Sequence, residues 1–203
     1  MVNLSKSLNT TTSWDFLPII CQIESLQILD VSHNLLTTIP FAFIIACGSI
    51  DGLKLLNFSY NNLTDSLPSF VGFAVLEFLD LSHNSLFGSF SLELDGSVGL
   101  KSLNLSFNHF GGSVPTHLGK CMVLEELVLS KNGFHGVMPV EILGYQNLTL
   151  IGSISQRMGE LSKLEVGKIL SNITSLKRFA AHTNYFRGPL SGANYKAFGK
   201  FGS

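Results

Sequence analysis

Apolar residues return along the chain in a fixed register. Leu26, Leu29 and Val31 precede Asn34, and the same spacing recurs in Leu53-Leu56-Phe58-Asn61, Leu76-Leu79-Leu81-Asn84, Leu100-Leu103-Leu105-Asn108 and Leu124-Leu127-Leu129-Asn132. The shared pattern is LxxLxLxxN, with first leucines 27, 23, 24 and 24 residues apart. A further copy, Leu176-Phe179-Ala181-Asn184, stands near the C-terminus with Phe186, Gly188 and Pro189 behind it. In each LxL the strand period of two sends the flanking residues inward and the middle one outward, predicting one short strand per coil. A coil of this size cannot bury its apolar edge alone, so the coils stack and the strands form a parallel sheet. The recurring Asn is expected to pair backbone groups that a turning chain leaves open. Ser32, Ser59, Ser82, Ser106 and Ser130 form a second column at the strand edge.

Beyond the Asn, Leu36-Thr-Thr-Ile39-Pro40, Phe110-Gly-Gly-Ser-Val114-Pro115 and Phe134-His-Gly136-Val-Met138-Pro139 are similar to the LxGxIP segment of plant-type leucine-rich repeats. From Cys21 to Leu190 the sequence resembles the ectodomains of plant receptor-like kinases and receptor-like proteins. The resemblance implies an α/β solenoid: a right-handed superhelical arc with a parallel concave β-sheet, a second short strand after the Gly, and irregular or 3-10 segments on the convex side. It further implies an extracellular module, at the outer face of the plasma membrane if a signal peptide and transmembrane helix lie outside this chain, that binds a peptide or protein ligand, with a co-receptor kinase as a further partner, and performs no catalysis. The competing readings are a secreted inhibitor of a cell-wall hydrolase, an intracellular scaffold and a non-functional receptor fragment.

Two stretches depart from that pattern. The family's N-terminal cap carries a cysteine pair around a Trp, whereas here Trp14 stands alone and Cys21 is the first cysteine. Residues 1–20 are therefore read as a lead or the remnant of a preceding coil, with Val2 and Leu4 as its strand residues. Regular repeats follow over 21–147. Coil starts at Leu148, Leu164 and Leu176 are only 16 and 12 residues apart, so 148–175 is read as shortened, irregular coils bridging to a last repeat at 176–190. Residues 191–203 form a non-repeat tail.

Charge narrows the function. Thirteen Lys+Arg against 14 Asp+Glu give a net charge of −1, which excludes an electrostatically driven nucleic-acid binder. The longest apolar stretch, Ile39 to Cys47, is far short of the roughly 20 residues a membrane span needs. The first ten residues are too polar for a signal h-region, so either a signal lies upstream or the protein stays inside. No P-loop, kinase, nucleophile-elbow, HExxH or CxxC motif occurs, and no cofactor is expected. His33 and His83 share a repeat position, but two coils at a strand spacing near 4.8 Å place them about 10 Å apart, too far to share a zinc ion.

Cys21 and Cys47 precede the first leucines of adjacent coils by five and six residues, which sets them within disulfide reach. Cys121 is expected in the core. Seven N-x-[ST] sequons, at Asn3, Asn9, Asn57, Asn62, Asn104, Asn147 and Asn172, are candidate glycosylation sites. Candidate ligand contacts are the residues expected to face outward on coils three to five: Phe78, Asp80, Ser82, His83, Ser102, Asn104, Ser106, Phe107, Glu126, Val128, Ser130 and Lys131. Phe78 and Phe107 are the aromatic anchors among them.

Overall fold

A computed structural model describes residues 1–7, 16–70, 72–90, 99–116, 118, 121, 123–136, 149–150 and 178–186. Strand β1 (Val2–Asn3) and helix α1 (Leu17–Ile20) precede β2 (Ile28–Asp30) of coil one; α2 (Phe41–Gly48) leads to β3 (Leu55–Asn57) of coil two. Coil three contributes β4 (Phe78–Asp80) and β5 (Phe87–Ser89), coil four β6 (Ser102–Asn104) and β7 (His109–Gly111), and coil five β8 (Glu126–Val128) and β9 (His135–Gly136). The described remainder holds β10 (Thr149–Leu150) and, in the last coil, β11 (Arg178–Ala180) and β12 (Tyr185–Phe186).

Each strand is as short as its LxL motif, and eight of them form one sheet in the order β1-β2-β3-β4-β6-β8-β11-β10. The pairs are parallel and in repeat register: Leu29 faces Leu56, then Leu79, Leu103, Leu127 and Phe179. The five leucines of that row are at most 1% exposed. Beside them runs an aromatic spine. Phe90, Phe110, Phe134 and Phe186 follow one another with ring centroids 6.1, 6.1 and 6.2 Å apart. On the flank, β5 pairs with β7 and β9 with β12, the second short strands that the LxGxIP segments imply.

The asparagine column ties coil to coil. The Asn108 Nδ2 donates to Leu81 O (2.9 Å) in the preceding coil and to Leu105 O (3.1 Å) in its own, while its Oδ1 accepts from Leu86 N (3.0 Å). Asn61, Asn84, Asn132 and Asn184 repeat the arrangement. These amides, buried at Asn84, Asn108 and Asn132 and half-buried at Asn61 and Asn184, satisfy backbone groups that would otherwise be stranded in the turns.

The convex side of the first two coils is helical. Pro18 occupies the first turn of α1, where a missing N–H costs nothing, and extended Pro40 sits at the N-cap of the apolar α2. Cys21, which caps α1, is disulfide-bonded to Cys47 of α2, with Cα atoms 5.0 Å apart. Gly72 packs against the end of α2 at φ +93, where a Cβ would lie 3.0 Å from Gly48 O. A glycine is needed there for both reasons. Cys121 is a buried free thiol whose pKa burial raises.

The two ends differ from a simple stack. Val2 and Asn3 pair with Leu29 and Asp30, and Leu4 O accepts from Asn34, so the first residues supply the strand and turn of a coil. At the other end β8 pairs directly with β11, and β10 adds to the far side of β11. No strand therefore separates coil five from the last coil. The rest of the segment read as shortened coils, the tail, Trp14, and the sequons Asn9, Asn147 and Asn172 lie outside the described residues.

Candidate functional site

The concave face is a grid of two outward positions per strand. The first column runs Ile28, Leu55, Phe78, Ser102, Glu126, Arg178; the other runs Asn3, Asp30, Asn57, Asp80, Asn104, Val128, Ala180. Its chemistry changes along the arc. Ile28, Leu55 and Phe78 make an apolar wall, whereas Glu126 accepts from the Ser102 hydroxyl at 2.9 Å and from Arg178 Nη1 at 2.5 Å. At the margin, Glu77 is held by Lys54 (3.1 Å) and Lys101 (2.6 Å), whose hydrogen bonds, Lys101 first, lower its pKa.

The second column has a structural duty. An Oδ1 of Asn3, Asp30, Asn57, Asp80 and Asn104 accepts the backbone N–H two residues on, at 2.8 to 3.1 Å. This Asx turn ends each strand. Three candidate contacts are corrected at the strand ends. Ser82, Ser106 and Ser130 are buried, because the period of two stops with the strand and the turn rolls the serine inward. Val128 is only 8% exposed, flanked in register by Asn104 and Ala180.

Just past the serine, or past His182 in the last coil, the backbone enters the left-handed region in each coil whose turn is described. Lys6, His33, Tyr60, His83, Phe107, Lys131 and Thr183 have φ between 53 and 58. Such a conformation is unfavourable for a side chain bearing a Cβ and persists only where the surroundings fix it. Here four rings stack along the rim. Centroid distances are 4.3 Å for His33 and Tyr60, 4.0 Å for Tyr60 and His83, and 4.2 Å for His83 and Phe107, with planes within 14° of parallel. Ring faces cover one another and edges meet solvent: Tyr60 is 46% and Phe107 45% exposed. Burial in the stack lowers the His83 pKa; Asp80 opposes this and His33 reinforces it.

Phe78, Asp80, His83 and Phe107 thus share one surface with Asn104, and Glu126 lies further along in its ion pair. Lys131 follows Phe107 at the next rim position. His33, Tyr60, Asp30, Ile28 and Leu55 belong to the same surface and were not among the sequence candidates. Their signal was the alternation of DxSHN in coils one and three with NxS[YF]N in coils two and four. Among the sequons, Asn57 and Asn104 lie in central strands with committed carboxamides, while Asn62 is exposed in the turn after Tyr60.

The profile described as Leucine Rich Repeat matches residues 25–45, 52–73, 75–96 and 99–121. The chain is a leucine-rich-repeat solenoid, similar in its repeats and its fold to plant receptor ectodomains. It is similar to the crystal structure of PEPR1-AtPEP1, at 28% identity and TM-score 0.63 over 84% of this chain and 20% of that one. It is also similar to the Arabidopsis receptor kinase HAESA in complex with the peptide hormone IDA and the co-receptor SERK1, at 32% identity and TM-score 0.54 over 62% and 21%. A plant ice-binding protein matches at 27% identity and TM-score 0.53 over 62% and 40%, so the solenoid alone does not fix the ligand. This chain spans about a fifth of the length of the two receptor chains. A search of curated protein sequences finds no match. Among the described residues no helix is long and apolar enough to cross a membrane.

Proposed function

We propose that the chain is the recognition part of an extracellular receptor-like protein and binds a peptide or protein ligand on its concave face, without catalysing a reaction. The observation that carries this reading is the surface shared by the apolar wall, the Asx column and the stacked rim. It presents exposed Phe78 and Phe107 beside polar groups, the mixture that anchors protein partners. The similarity to ectodomains crystallised with peptide hormones supports the same reading, and a co-receptor is the natural second partner.

Selection from a random-peptide library on the secreted, glycosylated chain tests it. Enriched peptides are expected to compete with one another and to lose at least about tenfold in affinity against Phe78→Asp, a loss of about 1.4 kcal/mol or more, with the fold unchanged. Failure to enrich any peptide, or binding indifferent to both Phe78→Asp and Phe107→Asp, overturns the reading.

A further inference from the structure

Over coils one to four the second column and the rim repeat every two coils rather than every coil. Coils one and three carry Asp30 with His33 and Asp80 with His83; coils two and four carry Asn57 with Tyr60 and Asn104 with Phe107. Core packing does not require this alternation, because the Asx turn forms equally well from Asp or Asn. The two carboxylates have no ion-pair partner among the described residues. Each commits one oxygen to a backbone N–H, and only Asp80 engages its second, through Asn104 Nδ2 at 3.3 Å.

The repeat distance selects a backbone conformation. Two strand spacings of about 4.8 Å place like positions about 9.6 Å apart. Along the rim, His33 and His83 stand on either side of Tyr60, at 4.3 and 4.0 Å from it. A β-extended peptide laid across the coils returns a side chain to the same face about every 6.8 Å, and an α-helix about every 5 to 6 Å, so neither keeps step. A polyproline-II chain has three residues per turn and a rise of about 3.1 Å, which returns every third side chain to one face at about 9.3 Å. Its carbonyls make no internal hydrogen bonds, and the His imidazoles and the Tyr60 hydroxyl on the rim offer donors to them.

We propose that coils one to three take a polyproline-II segment bearing a basic side chain at every third position, with successive cations on Asp30 and Asp80 and the residues between them against Ile28, Leu55 and Phe78. This deepens the peptide-binding reading and rests on it. The net charge of −1 means that attraction is local to the two carboxylates rather than a field of the whole chain.

The test titrates the full chain with three synthetic peptides of equal length: repeats of Arg-Pro-Pro, of Glu-Pro-Pro, and of Arg-Pro, which carries more charge in the wrong period. Arg-Pro-Pro is expected to bind at least about tenfold more tightly than Glu-Pro-Pro and several-fold more tightly than Arg-Pro, with affinity falling as salt rises. Asp30→Asn combined with Asp80→Asn, which keeps both Asx turns, is expected to abolish that preference at an unchanged melting temperature. Equal binding of the Arg and Glu repeats, tighter binding of Arg-Pro, or indifference to the double substitution overturns the proposal. If library peptides of another class bind in a Phe78-dependent way while Arg-Pro-Pro does not, this proposal falls and the peptide reading stands. If no peptide binds, both fall.

Discussion

Coil four and the last coil obey the same rules with different completeness. Around Leu103, every element of the repeat is present: a buried leucine in register, an Asn104 Asx turn, a buried serine and Asn108 bonded to both coils. The last coil keeps the asparagine, with Asn184 donating to Leu129 O at 2.8 Å and accepting from Phe134 N at 3.0 Å across a gap of 50 or more residues. It keeps the left-handed turn at Thr183 as well. Ala180, however, stands where the Asx residue belongs, and His182 replaces the serine. His182 buries an Nδ1 that has no hydrogen-bond partner among the described residues. The parallel strand and the asparagine thus suffice to dock a coil, while the Asx turn and small serine finish it.

The largest way to break this comparison is an inward charge. Leu103→Asp is expected to cost several kcal/mol, about 4 or more, because a fully buried position receives an unpaired carboxylate. Ala181→Asp should loosen only the last coil. Thermal melts with amide-exchange mapping distinguish a collapse of the central coils from terminal fraying. Lys101→Asp removes a 2.6 Å contact to Glu77 and sets two carboxylates together at the solvated margin, so its melt is expected to move far less than that of Leu103→Asp.

A smaller effect separates the two asparagines. Asn108→Ala leaves Leu81 O, Leu105 O and Leu86 N without their partner in the middle of the stack and is expected to cost about 2 to 4 kcal/mol. Asn184→Ala should instead raise exchange at the Phe134 amide with little change in the main melting transition, since the last coil has fewer dependents. Equal losses in the two variants would show that the last coil is an integral part of the cooperative unit.

The sequence made the solenoid legible because leucine spacing encodes strand, register and burial at once. It made the candidate surface legible only in part. Phe78 followed from the period of two, but that period was carried past the strand end, which put Ser82, Ser106 and Ser130 on the wrong side of the turn; Phe107 is exposed through the left-handed turn instead, which the period does not foretell. The ring stack joins His33, Tyr60, His83 and Phe107 across intervals of 23 to 27 residues, so it is invisible when each residue is weighed alone. The pairing of β11 with β8 depends on where the intervening chain is routed, and local spacing does not determine that.

His182→Ser sharpens the comparison in the opposite direction. It restores the residue that five other coils carry and removes the orphaned Nδ1, so a gain of about 1 kcal/mol in last-coil stability is expected, read as slower exchange at Lys131, whose N–H donates to residue 182. A loss would show that the imidazole packs usefully despite its unpaired nitrogen.

The smallest expected effect belongs to the rim, where coil three has a titrating ring that the last coil lacks. Burial between Tyr60 and Phe107 depresses the His83 pKa below the ordinary 6.5, against the pull of Asp80 and with the help of His33. A depressed histidine pKa means that the unfolded chain takes up the proton first. Its contribution to stability is therefore complete above the unfolded value and declines as pH falls from about 6.5 toward the folded value. His83→Phe keeps the stack, matches Phe107 in the next coil and removes the titration, so its melting temperature should fall less than that of the parent chain between pH 7.5 and 5.5. Asp80→Asn withdraws the carboxylate that favours protonation and should steepen the parent's decline. If His83→Phe leaves the pH dependence unchanged, the acid sensitivity lies elsewhere and the ring stack is indifferent to protonation; if Asp80→Asn flattens it, the carboxylate and not the burial governs the rim.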